Sequence, residues 1–222
     1  MNYFDINHIY KHGFALIEEF ETEKKYIHQE MKNINWVENI YTDGDVYRVP
    51  DWVLDNVTAE EYHSPYDFKL IEDTPNNQFN DILNKMIKDS YFSRLTGGQN
   101  VEVDEVDFYC GTSGLDWHFD GSRVPFNCPW FMMMYFNDNW EEWHKGEIEF
   151  GTLDWDLSVD PYDVKQTFTY SANAKINQTH SIQPVTNTCL LGMNHNPRFV
   201  HRTIKSHIAS DRYTLLIVFK VI

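Results

Sequence analysis

The segment LDWHFDG, residues 115–121, places His118 and Asp120 two positions apart in an otherwise apolar and aromatic run. On a strand, residues i and i+2 project to the same side. An imidazole and a carboxylate are then presented together, as two ligands of a metal ion, while Trp117 and Phe119 pack the other way. The same spacing also describes an ordinary exposed strand end, so the pair needs partners before it carries meaning. The segment FVHRTIKSHIASDRYTLLIVF, residues 199–219, offers them. His201 is a second imidazole, and two histidines with one carboxylate on one face of a metal leave the other positions open for chemistry. Arg212 follows eleven residues later. Beyond it, Arg212, Thr214, Leu216 and Val218 alternate with Tyr213, Leu215, Ile217 and Phe219. Two apolar faces predict a strand buried on both sides, with Arg212 facing a cavity. A buried guanidinium is costly without an anion, and its planar fork suits a carboxylate. That carboxylate belongs either to a ligand or to an acidic side chain of this acidic chain.

The elements that must position these residues are legible in outline. The polar stretch KSHIASD between two apolar runs predicts a hairpin that returns Arg212 to the side of His201. Upstream, VEVDEVDFYC alternates, WFMMMYFN reads as a buried strand, and GEIEFGTL as another. Glu147 and Glu149 alternate on that last strand and are expected to face solvent. Before residue 99 the character is different. HGFALIEEF, residues 12–20, is a short strand, and ETEKKYIHQEMKN after it is a helix with Thr22 as its N-cap. Asp43-Gly44 marks a turn, and VYRVPDWVL is irregular or extended because proline interrupts it. From Asn76 to Leu95, apolar residues at Phe79, Ile82, Leu83, Met86, Ile87 and Tyr91 have helical spacing, and TGG stops the run. No repeat, low-complexity tract or linker divides the chain. The expected architecture is one α+β domain, helices first and then a largely antiparallel, closed or sandwiched β assembly.

Composition narrows the partners. Eighteen lysines and arginines stand against 34 acidic residues, a net charge of −16 over 222 residues. Such a field repels phosphate backbones, and no basic cluster offsets it, so no nucleic-acid partner is expected. Cys110, Cys128 and Cys189 are widely spaced and odd in number, which predicts reduced thiols. The start, MNYFDINHIYKHGF, has no signal-peptide character, and no apolar run is long enough for a membrane span. A cytoplasmic protein without a membrane partner is expected, and the sequons at Asn56 and Asn177 then carry no meaning. His144, His180, His195 and His207 are read as hydrogen-bonding residues and not as metal ligands. The tryptophans at 130, 140, 143 and 155 are read as packing, and the acidic loop Asp154, Asp156, Asp160 and Asp163 as a solvated surface.

His118-x-Asp120, the distant His201 and an arginine eleven residues later together resemble the pattern of Fe(II)- and 2-oxoglutarate-dependent dioxygenases. DFYCGTSGLDWHFD and MMMYFNDNWEEWHKGEIEF are similar to the prolyl 4-hydroxylase-like branch of that superfamily. The resemblance covers residues 99–222, with a weaker match in the strand and helix at 12–31. It implies a double-stranded β-helix core of jelly-roll or cupin-like form, with N-terminal helices packed on the major sheet. Residues 1–98 would be a supporting region and 99–222 the catalytic core of one domain spanning 1–222. It implies Fe(II) held by His118, Asp120 and His201. The distal carboxylate of 2-oxoglutarate would meet Arg212 and Tyr135, with Thr214 and Tyr109 also lining that pocket. Dioxygen is the implied co-substrate and ascorbate the implied reductant. Lys145-Gly146 stands where the branch has two glycines, and Phe136 where it has leucine. The stretch between Asp120 and His201 is longer than in compact relatives, so the segment 151–188 has no assigned role.

The implied reaction couples decarboxylation of 2-oxoglutarate, to succinate and CO₂, with hydroxylation of a substrate. That substrate is a protein side chain in the prolyl-hydroxylase manner, or a free amino acid or other small metabolite. Asp120 as a carboxylate favours hydroxylation over halogenation. Val218 stands where nucleic-acid demethylases of the superfamily have a second arginine, and histone demethylases use lysine where Arg212 stands. A reading from another class is a non-catalytic cupin-like binding module, distinguishable by its failure to turn over 2-oxoglutarate. Oligomeric state is not encoded in any feature of the sequence.

Overall fold

The described residues of the computed structural model are 6–40, 46–50, 77–88, 98–112, 114–119, 129–154, 175–196, 198–207 and 212–222. Within them the order is α1 (Ile6–His12), β1 (Phe14–Leu16), α2 (Glu21–Asn33), β2 (Trp36–Ile40), β3 (Val46–Pro50) and α3 (Asn77–Lys88). The strands β4 (Val101–Gly111), β5 (Leu115–His118), β6 (Trp130–Tyr135), β7 (Ile148–Asp154), β8 (Lys175–Ile182), β9 (Cys189–Met193), β10 (Phe199–Thr203) and β11 (Arg212–Val221) follow. They form a seven-stranded sheet, β1-β9-β6-β11-β4-β3-β2, and a four-stranded sheet, β5-β10-β7-β8. From β4 onward the chain passes back and forth between the two sheets, and every recorded strand pair is antiparallel. This is the double-stranded β-helix, a jelly roll in an α+β setting.

Strand periodicity divides the core into two layers. Trp130, Met132 and Met134 of β6 join Leu215, Ile217 and Phe219 of β11 on the outer face of the major sheet. There they meet Ile9 of α1, Ile27 and Met31 of α2, and Leu83 and Met86 of α3. The alternate residues, Phe131 and Tyr135 of β6 and Leu216 of β11, point between the sheets against Phe14, Ile148, Phe150 and Leu190. The helices therefore cover the major sheet, and the interior of the sandwich is left for the site.

Helix α2 spans the predicted residues, but Thr22 is not its cap. Phe20 occupies the N-cap position in a left-handed conformation without a side-chain cap bond. The ammonium of buried Lys24 reaches the carbonyls of Ile17 and Glu18, at 3.3 Å each, and the Glu21 carboxylate at 3.2 Å. Glu21 and Glu23 also place negative charge where the helix dipole favours it. The predicted turn at 43–44, the distal part of the helix run beyond Lys88, and Cys128 lie outside the described residues. Cys110 and Cys189 are buried and form no disulfide, and burial pushes the Cys189 thiol up to about 12. Such a thiol is inert at neutral pH.

Two further expectations are corrected. The KSHIASD segment does not close a hairpin, because β10 lies in the minor sheet and β11 in the major one. His201 and Arg212 therefore sit on opposing sheets and not on adjacent strands. Glu149 does not face solvent. It is buried and pairs with Arg202, its cross-strand neighbour on β10, whose guanidinium also lies 4.8 Å over the Trp117 ring.

Of the described glycines, Gly192 leaves the least room for a side chain. It stands directly between Phe14 of β1 and Phe131 of β6 in the ladder, and a Cβ built on it would lie 2.1 Å from the Phe131 ring. That ring lies across the glycine and ends 5.2 Å from His201, centroid to centroid. Gly192→Val should destabilise by about 1–3 kcal/mol through overpacking. At about 2–4 °C per kcal/mol for a chain of this size, thermal denaturation should show the midpoint falling by several degrees. An unchanged midpoint would mean that the Phe131 ring has room to yield.

Candidate active site

His118 and His201 meet because β5 and β10 are neighbours in register, residue 118 opposite residue 201. Both are buried, and their rings meet edge to face with centroids 4.2 Å apart. His118 Nδ1 lies 2.6 Å from the carbonyl oxygen of Asp116. A carbonyl only accepts, so Nδ1 carries the proton, and Nε2 is the atom that the neutral ring offers as a ligand. Ring orientation and tautomer are thus fixed together. His201 is backed by Phe131 and by Phe150, at 5.2 and 5.9 Å between centroids. Asp120, the predicted third ligand, lies outside the described residues.

Facing this pair across the sandwich is a row on the major sheet. Thr214 of β11 and Tyr135 of β6 stand side by side in register, Arg212 begins the same face of β11, and the backbone of Tyr109 on β4 is the other register partner of Thr214. The Tyr135 hydroxyl and Thr214 Oγ1 are both buried, and neither has a hydrogen-bond partner among the described residues. Burial raises the Tyr135 phenol far above its ordinary pKa, and the Arg212 charge pulls the other way. Two unpaired buried hydroxyls beside a guanidinium are expensive alone, and a bound anion repairs both deficits.

The guanidinium is aimed by backbone. Arg212 Nη1 donates to the carbonyls of Gly146 and Ile204, at 3.0 and 3.1 Å. Gly146 adopts φ +84°, and a Cβ there would crowd Trp140 at 3.0 Å, Ser206 at 3.1 Å and Arg212 itself at 3.5 Å. Lys145 before it also has positive φ, at 57°, held by its N–H to Glu142 O and by a bridge to Ser206. The departure from two glycines at 145–146 therefore costs local strain yet keeps the turn that props Arg212.

The carbonyls of Asp116, Gly146 and Ile204 carry this geometry, and a backbone oxygen leaves no residue-type signal in a sequence. The supporting ring of Phe150 was legible as a buried strand residue, but its place beside His201 depends on sheet pairing. A cleft of about 350 Å³ lined by His28, Trp36, Asp138, Trp140 and Tyr213 opens on the other face of β11 from Arg212. It is separate from the histidine pair. Among the described residues no helix is long and apolar enough to cross a membrane.

No family model matches the sequence, and no curated protein matches it significantly. Solved structures do. The chain superposes on the non-haem α-ketoglutarate-dependent epimerase SnoN from nogalamycin biosynthesis with a TM-score of 0.60 at 13% identity, covering 97% of this chain and 81% of that one. SnoN solved in complex with Fe³⁺, α-ketoglutarate and nogalamycin RO gives 0.55 at 10% identity, covering 97% and 81%. A prolyl hydroxylase from Trichoplax adhaerens, in complex with a peptide fragment of a hypoxia-inducible factor oxygen degradation domain, gives 0.56 at 14% identity, covering 97% and 86%. The likeness runs through almost the whole chain in each case: this protein has the double-stranded β-helix fold of the Fe(II)- and 2-oxoglutarate-dependent oxygenases.

Proposed function

We propose that the protein is an Fe(II)- and 2-oxoglutarate-dependent oxygenase, a single cytoplasmic domain spanning residues 1–222. The observation that carries this is the pair of unpartnered buried hydroxyls on Tyr135 and Thr214 beside Arg212, on the wall facing two buried histidines. That arrangement supplies a carboxylate pocket and a metal pocket inside one sandwich. His118 Nε2, His201 and Asp120 would hold Fe(II). When bound, the iron supplies activation of dioxygen and oxidative decarboxylation of the keto acid.

The chain's own residues do the rest. Asp116 O holds the His118 proton on Nδ1, so that ring binds as a neutral donor. Arg212 pairs with the distal carboxylate of 2-oxoglutarate as a charge-assisted fork, and the Tyr135 and Thr214 hydroxyls donate to the same group. Tyr109 would complete the row. Phe131, Phe150 and Leu216 exclude water from the space between the walls, which strengthens each polar contact there. The preferred substrate class is a protein side chain, in the prolyl-hydroxylase manner, with a free amino acid or small metabolite as the alternative. Ascorbate would serve as reductant.

The two hydroxyls allow a test that a merely structural role fails. Thr214→Val and Tyr135→Phe remove polar atoms with no hydrogen-bond partner among the described residues, so thermal stability should hold or rise. Each loses a hydrogen bond to the carboxylate worth about 1–2 kcal/mol, so affinity for 2-oxoglutarate should fall roughly 5- to 30-fold. Lower stability with unchanged affinity would show that these hydroxyls serve the fold. The activity itself is tested by succinate release from 2-oxoglutarate under air with Fe(II) and ascorbate. The assay is run alone and across peptides and free amino acids, with mass spectrometry for a gain of one oxygen. Succinate release that rises with a peptide carrying the modified side chain supports the preferred substrate class. No release under any condition would overturn the enzyme reading in favour of a binding module.

A further inference from the structure

A second histidine cluster lies outside the proposed iron site. His8 and His12 are four residues apart on α1, one turn, so their rings share a face of the helix. His180 comes from β8, the edge strand of the minor sheet. One nitrogen from each of the three lies within 4.8 Å of the others. His180 Nε2 and His12 Nδ1 are 3.4 Å apart. Two ligands at about 2.05 Å from a tetrahedral ion are separated by about 3.3 Å, so this pair already stands at the edge length of a zinc-type polyhedron. His8 closes the set, its ring centroid 4.5 Å from His12 and 5.5 Å from His180.

The surroundings suit an ion. All three rings are half-buried, and Phe14 walls the cluster, edge-on to His8 at 5.2 Å and to His180 at 5.1 Å. Because the rings are not fully buried, a water can serve as a fourth ligand to an ion held there. Burial and the neighbouring imidazoles lower the pKa of His12 and of His180, so crowding disfavours protonation of these rings. A protein of net charge −16 also attracts cations generally.

We propose that His8, His12 and His180 form a second metal site, for a borderline divalent cation of the Zn²⁺ class. Three imidazole donors and no carboxylate select zinc, cobalt, nickel or copper over magnesium and calcium, which take oxygen ligands. The site pins the open edge of the sandwich. Helix α1 leads directly into β1, the terminal strand of the major sheet, and β8 is the terminal strand of the minor one. An ion held by both ties the two sheets together where no strand pairing does. His180 also lies opposite Phe150, which lies opposite His201, so the cluster shares a row of the minor sheet with the proposed iron ligands. Two strand spacings of about 4.8 Å put the His180 and His201 backbones about 10 Å apart. The two sites are therefore separate, with Phe150 between them.

The test uses the full chain with both iron-site histidines replaced, His118→Gln/His201→Gln, so its outcome does not depend on the proposed activity. Zn²⁺ added under equilibrium dialysis should bind at about one equivalent and raise the thermal midpoint by binding the native state. Co²⁺ in its place should give the visible absorption of a tetrahedral nitrogen site. Adding His12→Ala, or separately His180→Ala, should abolish the equivalent, the absorption and the midpoint shift. Should either variant lose its circular dichroism, His8→Gln on the folded chain gives the same reading. Absence of Zn²⁺ binding in the folded background, or binding unchanged by all three substitutions, would overturn the proposal.

Discussion

Replacing His201 with glutamine is expected to lower 2-oxoglutarate turnover by at least about a hundredfold, the size reached when a metal ligand's outer-shell support alone is removed. Glutamine is the informative choice because His201 is packed on three sides, by His118, Phe131 and Phe150. Alanine would leave a cavity at that contact and add about 2–4 kcal/mol of destabilisation to the loss of a ligand. Glutamine keeps most of the volume, so the fold should persist while one imidazole disappears. Iron content after anaerobic reconstitution should drop with the activity. Full iron content and full turnover in the folded variant would remove His201 from the metal site.

Arg212→Ala is expected to raise the dissociation constant for 2-oxoglutarate by about a hundredfold or more. A charge-assisted bond to a buried carboxylate is worth about 1.5–3 kcal/mol, and the stranded anion adds to the loss. At 1.4 kcal/mol per decade, about 3 kcal/mol is two decades. Arg212→Lys should recover only part of this. Lysine keeps the charge but lacks the planar fork, which bonds to Gly146 O and Ile204 O through one nitrogen and would offer the others to the carboxylate. Calorimetry at fixed Fe(II) separates this from a folding defect, because iron binding should be retained. Equal affinity in wild type and Arg212→Ala would place the carboxylate elsewhere.

The candidate site residues are legible in the sequence only as residue types on strand faces. The face shared by Arg212 and Thr214 follows from period-two patterning within one strand, whereas His118 and His201 stand out as a set only through the resemblance. Helix α2 was legible because Ile27 and Met31 recur at helical spacing amid charges. The short α1 was not, since INHIYKH anchors itself chiefly through Ile9. Among the described strands β8, KINQTHSI, pairs with β7 alone and contributes little to the core, so it carries little apolar signal. The predicted hairpin after β10 failed for a different reason. A polar connection between two apolar strands looks alike whether the second strand pairs with the first or crosses to the other sheet. Sheet membership depends on long-range pairing that local pattern does not encode. Glu149 misled in the same way, because its partner Arg202 is adjacent only through β7–β10 pairing.

The central claim, that one sandwich holds iron on one wall and 2-oxoglutarate on the other, is tested most directly without oxygen. Fe(II) and 2-oxoglutarate are added together to the apo-protein under anaerobic conditions, and the visible spectrum is recorded for the weak band of the keto acid chelated to protein-bound iron. The band is expected in wild type, is lost in His118→Gln, and appears in Arg212→Ala only at much higher 2-oxoglutarate. A wild-type protein that shows no band, or a band undiminished in His118→Gln, would contradict it.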